Sequence, residues 1–145
     1  MCFAAGSSLA IGNLITYIVS YHRIILKYNI NEDTFQPLFP LVMTFNTIFF
    51  VIANKMVDVF NGQSKPVAAI FATFGLTLCY LSILFECSPY MFIFLFSLGF
   101  GSIKGTMFST ALRAGWSHLP KRKGLASGII LSGSGIGGGL ASMFI

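Results

Sequence analysis

The sequence predicts an all-α membrane protein of five transmembrane helices, and three observations carry that reading. First, 55% of its 145 residues are hydrophobic, only 9% are charged and the mean hydropathy is +0.81, far from the composition of a soluble domain. Second, residues 2–21, 37–54, 67–85, 90–103 and 124–145 carry no charge, and the fourth run continues past Lys104 to Leu112. Each is close to the roughly 20 residues that a helix needs to cross a bilayer. Third, the connections are short and the basic residues gather near segment ends, which leaves no room for a soluble domain.

The expected helices span residues 2–26, 37–60, 66–85, 90–116 and 124–145. Segment 1 carries Asn13, Thr16, Tyr17, Ser20 and Tyr21 at spacings of three and four, so its polar groups share one face, expected to look into the bundle. Residues 27–34 form the polar connection to segment 2, which opens with Pro37 and Pro40 where missing donors cost least. Segment 3 lacks charge and reads as a peripheral, lipid-facing span, bounded by the Gly and Pro punctuation of residues 61–66 and 86–89. Segment 4 has an interfacial aromatic at each end, Tyr90 and Trp116, about 39 Å apart along a helix. Segment 5 is rich in glycine.

The ends of the chain read as clipped, because segment 1 has no charged lead-in and segment 5 runs apolar to its last residue. The start does not have the form of a secretory signal. Near the 2–3 and 4–5 connections lie Lys55, Lys65, Arg113, Lys121, Arg122 and Lys123, against Arg23 and Lys27 near the 1–2 connection. That asymmetry places the 2–3 and 4–5 loops in the cytoplasm. The net charge of +5 therefore reports orientation in a lipid bilayer and not nucleic-acid binding. Lys121 to Lys123 hold that topology and are also placed to meet anionic headgroups. Cys2, Cys79 and Cys87 show no metal or CxxC spacing and read as small hydrophobes.

Lys104 is the principal candidate for function. It lies 14 residues after Tyr90, about 21 Å along the helix and close to the midplane. A cation at that depth is costly and by default marks a substrate path. No acid of the sequence falls at the same depth, since Asp58 and Glu86 lie at segment ends, so the expected partner is an anionic small-molecule substrate or a group outside this chain. The competing reading is a lysine paired for assembly or reaching along a wet cleft.

Gly133-Ser-Gly135-Ile-Gly137-Gly138 matches the GxGxxG of dinucleotide loops, but that motif requires a strand before it and a βαβ unit. In an apolar helix the same glycines, with Gly124 and Gly128, make a groove for close helix packing, and Gly101 and Gly105 form a similar pair in segment 4. Asp58, three residues after Lys55, is a candidate gating residue at the end of segment 2 or a solvated end charge. An enzyme is not expected, nor a cofactor or metal. His22 and His118 fall at opposite faces, and the four acids are scattered, without the spacing of a catalytic or metal cluster.

Trp116-Ser-His-Leu-Pro-Lys-Arg-Lys-Gly-Leu-Ala-Ser-Gly128 and the glycine-rich run to Gly137 resemble the helix 4 to helix 5 passage of major facilitator superfamily transporters. The likeness is to the monocarboxylate and oxalate/formate antiporter-like branches. Gly12-Asn-Leu-Ile-Thr-Tyr-Ile-Val-Ser-Tyr21 resembles helix 1 of the same branch. Residues 55–65 occupy the place of the helix 2–3 loop signature, with Asn54 where the signature has glycine and Val59 where it has a basic residue. Gly133-Ser-x-x-Gly137-Gly138 resembles the antiporter signature of helix 5, with serine in place of proline.

The resemblance implies two six-helix halves, substrate at the midplane and alternating access by rocking of the halves. This chain would then be five helices of a partial N-terminal half, partnered by a C-terminal half that it lacks. The expected function is secondary transport of a small organic anion such as a monocarboxylate, with Asn13, Tyr17 and Lys104 as substrate-binding candidates. A membrane structural or assembly subunit that transports nothing is the alternative.

Overall fold

Inside a bilayer every backbone N–H and C=O must find its partner within the protein, which leaves long apolar segments only the helix or the closed barrel. The structure, a computed structural model, describes residues 11–25, 27, 32–60, 62–84 and 88–144, with backbone alone at 11–14, 32, 141, 142 and 144. The described residues form α1 (Ile11–Ile24), α2 (Leu38–Val59), α3 (Ser64–Leu84), α4 (Pro89–His118) and α5 (Lys123–Phe144). Short 3-10 turns lie at Glu32–Phe35 and Pro120–Arg122, and the described residues include no strand. Three helical stretches, Asp33–Val59, Ser64–Leu84 and Pro89–His118, are long and apolar enough to cross a membrane.

Helix boundaries follow local chemistry. α3 begins at Ser64, two residues before the expected start, because Pro66 in its third position has no donor to waste. α2 is closed by Gly62, whose φ of +78° suits a left-handed cap and whose N–H donates to Val57 O at 2.9 Å. α4 is the long element, 30 residues or about 45 Å, and it runs to His118 before Leu119 N–H caps Gly115 O.

α4 forms the centre, with α2 on one side, α3 on another and α5 against its last turns. Small residues make these approaches possible. A Cβ on Gly101 would stand 2.6 Å from Phe45 Cβ, and one on Gly105 would stand 2.5 Å from Asn46 O. Across the other face, Gly75 and Gly99 meet so closely that a Cβ on either would lie within 2.7 Å of the other's carbonyl oxygen. α3 is otherwise outward, with Ile70, Phe74, Leu76, Tyr80, Ile83 and Leu84 exposed.

At one end Val19, Phe35, Leu38, Val42, Phe92 and Ile93 form a core cluster. The turn after α1, read from sequence only as polar, drives Phe35 fully inside, where its ring and that of Phe92 flank the buried His22 at 5.2 and 5.0 Å. His22 Nδ1 is bonded to Ile18 O at 2.9 Å. This packing corrects the expected orientation of α1. Its seated face is Ile15, Ile18, Val19 and His22, whereas Thr16, Tyr17, Ser20 and Tyr21 are exposed in this chain. The larger apolar contact with Phe35 and Phe92 outweighs the polar row, and Ser20 is satisfied within its own helix, its Oγ–H donating to the main-chain Thr16 O at 2.9 Å.

α5 meets α4 through Ala126 and Ile130, which lie over Gly115, and through Trp116 Nε1–H, which donates to Ser127 Oγ at 3.0 Å. Gly137 and Gly138 are buried and Gly133 is half-buried. Gly124, Gly128, Gly135 and Gly139 occupy the opposite face, where an added Cβ would meet nothing within 4 Å.

Candidate site at the middle and end of the central helix

Lys104 is the sixteenth of the 30 residues of α4, at mid-length as the sequence count requires. Phe92, Phe96 and Phe100 stack along the same i, i+4 row, with ring centroids 5.5 and 5.7 Å apart, and Lys104 continues it. Its side chain is half-buried, and its ammonium donates to Met43 Sδ of α2 at 3.7 Å. A thioether is a weak acceptor. Among the described residues no carboxylate lies within ion-pair distance of Lys104, because the ion pair they contain is Arg113 with Asp58. The cation at mid-helix therefore has donor capacity that the described residues leave over.

Nine residues further along, a second polar assembly ties α4 to α2. Arg113 Nε–H donates to Asn54 Oδ1 at 2.9 Å, Nη2–H to Asn54 O at 2.8 Å and Nη1–H to Asp58 Oδ1 at 2.8 Å. Ser109 Oγ donates to the same Asn54 Oδ1 at 2.9 Å, and Asn54 Nδ2–H returns to Phe50 O at 3.0 Å. The planar guanidinium suits this fork. One arginine thus holds a side-chain oxygen, a main-chain oxygen and a carboxylate of α2 at once.

The arms are unequal in strength. Asp58 is 70% exposed at its side chain, so its ion pair is worth about 0–1 kcal/mol. The half-buried bonds from a charged donor to Asn54 are worth about 1.5–3 kcal/mol each. In a detergent denaturation series Arg113→Gln is expected to lower stability by about 2–4 kcal/mol, and Asp58→Asn by less than about 1 kcal/mol. Equal losses would mean that the carboxylate, not Asn54, anchors the arginine.

Beside this fork lies a cleft of about 580 Å³ lined by Phe50, Asn54, Gly62, Leu112, Arg113 and Trp116. Of the other sequence candidates, the Asn13 side chain lies outside the described residues, and Tyr17 stands on the exposed face of α1. Asp58 joins the Arg113 fork, Gly101 and Gly105 seat α2, and Gly128, Gly133 and Gly137 are distributed over two faces of α5. Among the described residues no three His, Cys, Asp or Glu gather around one point.

Arg113 and Asn54 were read from the sequence as a topology charge and as a stand-in for a glycine, and their partnership was missed. The signal was present. Asn54 and Asp58 are four apart on one helix, Ser109 and Arg113 four apart on another, so each pair shares a face. Comparison with protein-family models, with curated proteins and with solved structures gives no match to this chain.

Proposed function

We propose that this chain is part of the N-terminal half of a major facilitator type transporter that carries a small organic anion by alternating access. The observation that carries the reading is Lys104, a half-buried ammonium at mid-length of the central helix with only a thioether as polar contact among the described residues. Such a cation attracts an anion, and the aromatic row leading to it offers an apolar wall for the anion's carbon skeleton. The resemblance of residues 116–138 to that superfamily supports the same reading. Asp58 and Arg113 act at the end of the path, where exchanging their bonds lets α2 and α4 move against the second half. Tyr17 stands on the face of α1 that is exposed in this chain, and a C-terminal half completes the site.

Uptake of a labelled monocarboxylate by a full-length transporter containing this chain, compared between wild type and Lys104→Met, tests the reading. The proposed orientation has its own check by impermeant thiol labelling of single cysteines in a cysteine-free background. Positions 65 and 121 are expected to label only from the cytoplasm, and positions 34 and 88 only from outside. External labelling at 65 without labelling at 34 would invert the topology.

A further inference from the structure

The end of the bundle that carries the Arg113 fork has an imbalance of charge that the transport reading does not use. Lys55 of α2, Lys65 of α3, Arg113 of α4 and Lys121, Arg122 and Lys123 of the α4–α5 turn gather there, and Asp58, the acid among them, is already held by Arg113. Lys55, Lys65 and the three residues of the turn are exposed. Their placement in the turn is also unfavourable to the fold. Cations at the start of a helix oppose its dipole, yet the first turn of α5 has no acid to compensate them.

The same end has a concave apolar surface. Phe50 and Leu112 line the 580 Å³ cleft, Trp116 forms part of its wall, and Arg113 and Asn54 supply its polar edge. Trp116 lines the cleft and is tied to α5 by its bond to Ser127, and the basic turn follows it in the chain from Pro120. Arg113 has five N–H groups and spends three of them on α2. The cleft opens where the long apolar helices end, the level at which tryptophan and headgroups meet.

We propose that the cleft and the basic turn together form a site for an anionic phospholipid. Its phosphate rests against Lys121, Arg122 and Lys123, and its glycerol and first acyl carbons cover Phe50, Leu112 and Trp116. Charge complementarity decides the class of lipid. A zwitterionic headgroup gains little from the five exposed cations, whereas an anionic one is attracted by each of them. The proposal does not depend on what the protein transports.

Trp116 is the single tryptophan of the sequence, so its fluorescence reports this site alone. The full chain is reconstituted in phosphatidylcholine vesicles to which acyl-brominated phosphatidylglycerol or acyl-brominated phosphatidylcholine is added. The anionic quencher is expected to act at a mole fraction about tenfold lower than the zwitterionic one. The triple variant K121Q/R122Q/K123Q, with helix content checked by circular dichroism, is expected to abolish that preference. In the wild type, raising salt from about 0.1 to about 1 M shortens the screening length from about 10 to about 3 Å and is expected to reduce the preference, whatever the variant does to folding. Equal quenching by the two lipids, or a preference that neither salt nor the variant changes, would overturn the proposal. Reversal of the quenching by millimolar inorganic phosphate would assign the turn to a free phosphate and overturn the lipid assignment.

Discussion

Replacing Lys104 by methionine is expected to lower the uptake kcat/KM of an organic anion about 10- to 100-fold in the complete transporter, the loss of one charged hydrogen bond of about 1.5–3 kcal/mol. Methionine keeps the length of the side chain and removes the charge. Stability is expected to hold or rise, because a half-buried ammonium whose polar contact is the sulfur of Met43 has a desolvation cost that nothing described offsets. That opposite movement separates an anion anchor from an assembly lysine. Removing one partner of a buried structural ion pair is strongly destabilising, so an assembly role predicts lower surface expression together with lower uptake. Lys104→Arg is expected to restore part of the activity, since the charge returns with a wider, planar donor geometry. Normal expression with wild-type uptake in Lys104→Met would refute the anchor.

Gly105→Leu is expected to disrupt folding more than any other single change in the α2–α4 seam. Its Cβ would meet Asn46 O at 2.5 Å and Phe50 N at 2.8 Å, both main-chain atoms that no rotamer change can move. α2 has to retreat, and the fork of Ser109, Arg113 and Asn54 begins one turn further along. Overpacking alone costs about 1–3 kcal/mol, to which the lost charged bonds add about 1.5–3 kcal/mol each. Gly124→Ala is the control, since its Cβ would enter open space and alanine gains about 1 kcal/mol of helix propensity. Equal monodisperse yields for the two variants would contradict the seam.

What the sequence made legible is what a single helix decides for itself. Apolar runs of about 20 residues mark helices, and counting 1.5 Å steps from Tyr90 put Lys104 at mid-helix before any coordinates. The i, i+4 glycines of α4 announced a close neighbour, but not that α2 fills that place while Gly75 of α3 fills the one at Gly99. Contacts between residues 55 to 59 apart, such as Ser109 with Asn54 and Arg113 with Asn54, depend on how helices are paired, and no local pattern fixes that. The same holds for Phe35. It sits in a polar run, and only the approach of α1 and α4 creates the pocket that buries it with His22. The polar row of α1 misled for the complementary reason: periodicity identifies a face but not which face is seated.

The central claim, that Lys104 binds the anion, is tested most directly by binding in the absence of transport. The purified complete transporter is heated with and without a monocarboxylate at about 100 times its Kd, where a ligand specific for the folded state adds about 2.7 kcal/mol of stability. The wild type is expected to show that stabilisation, and Lys104→Met, with affinity about 10- to 100-fold weaker, to show only about 0.4–1.4 kcal/mol at the same concentration. Equal stabilisation of the two proteins would contradict the account.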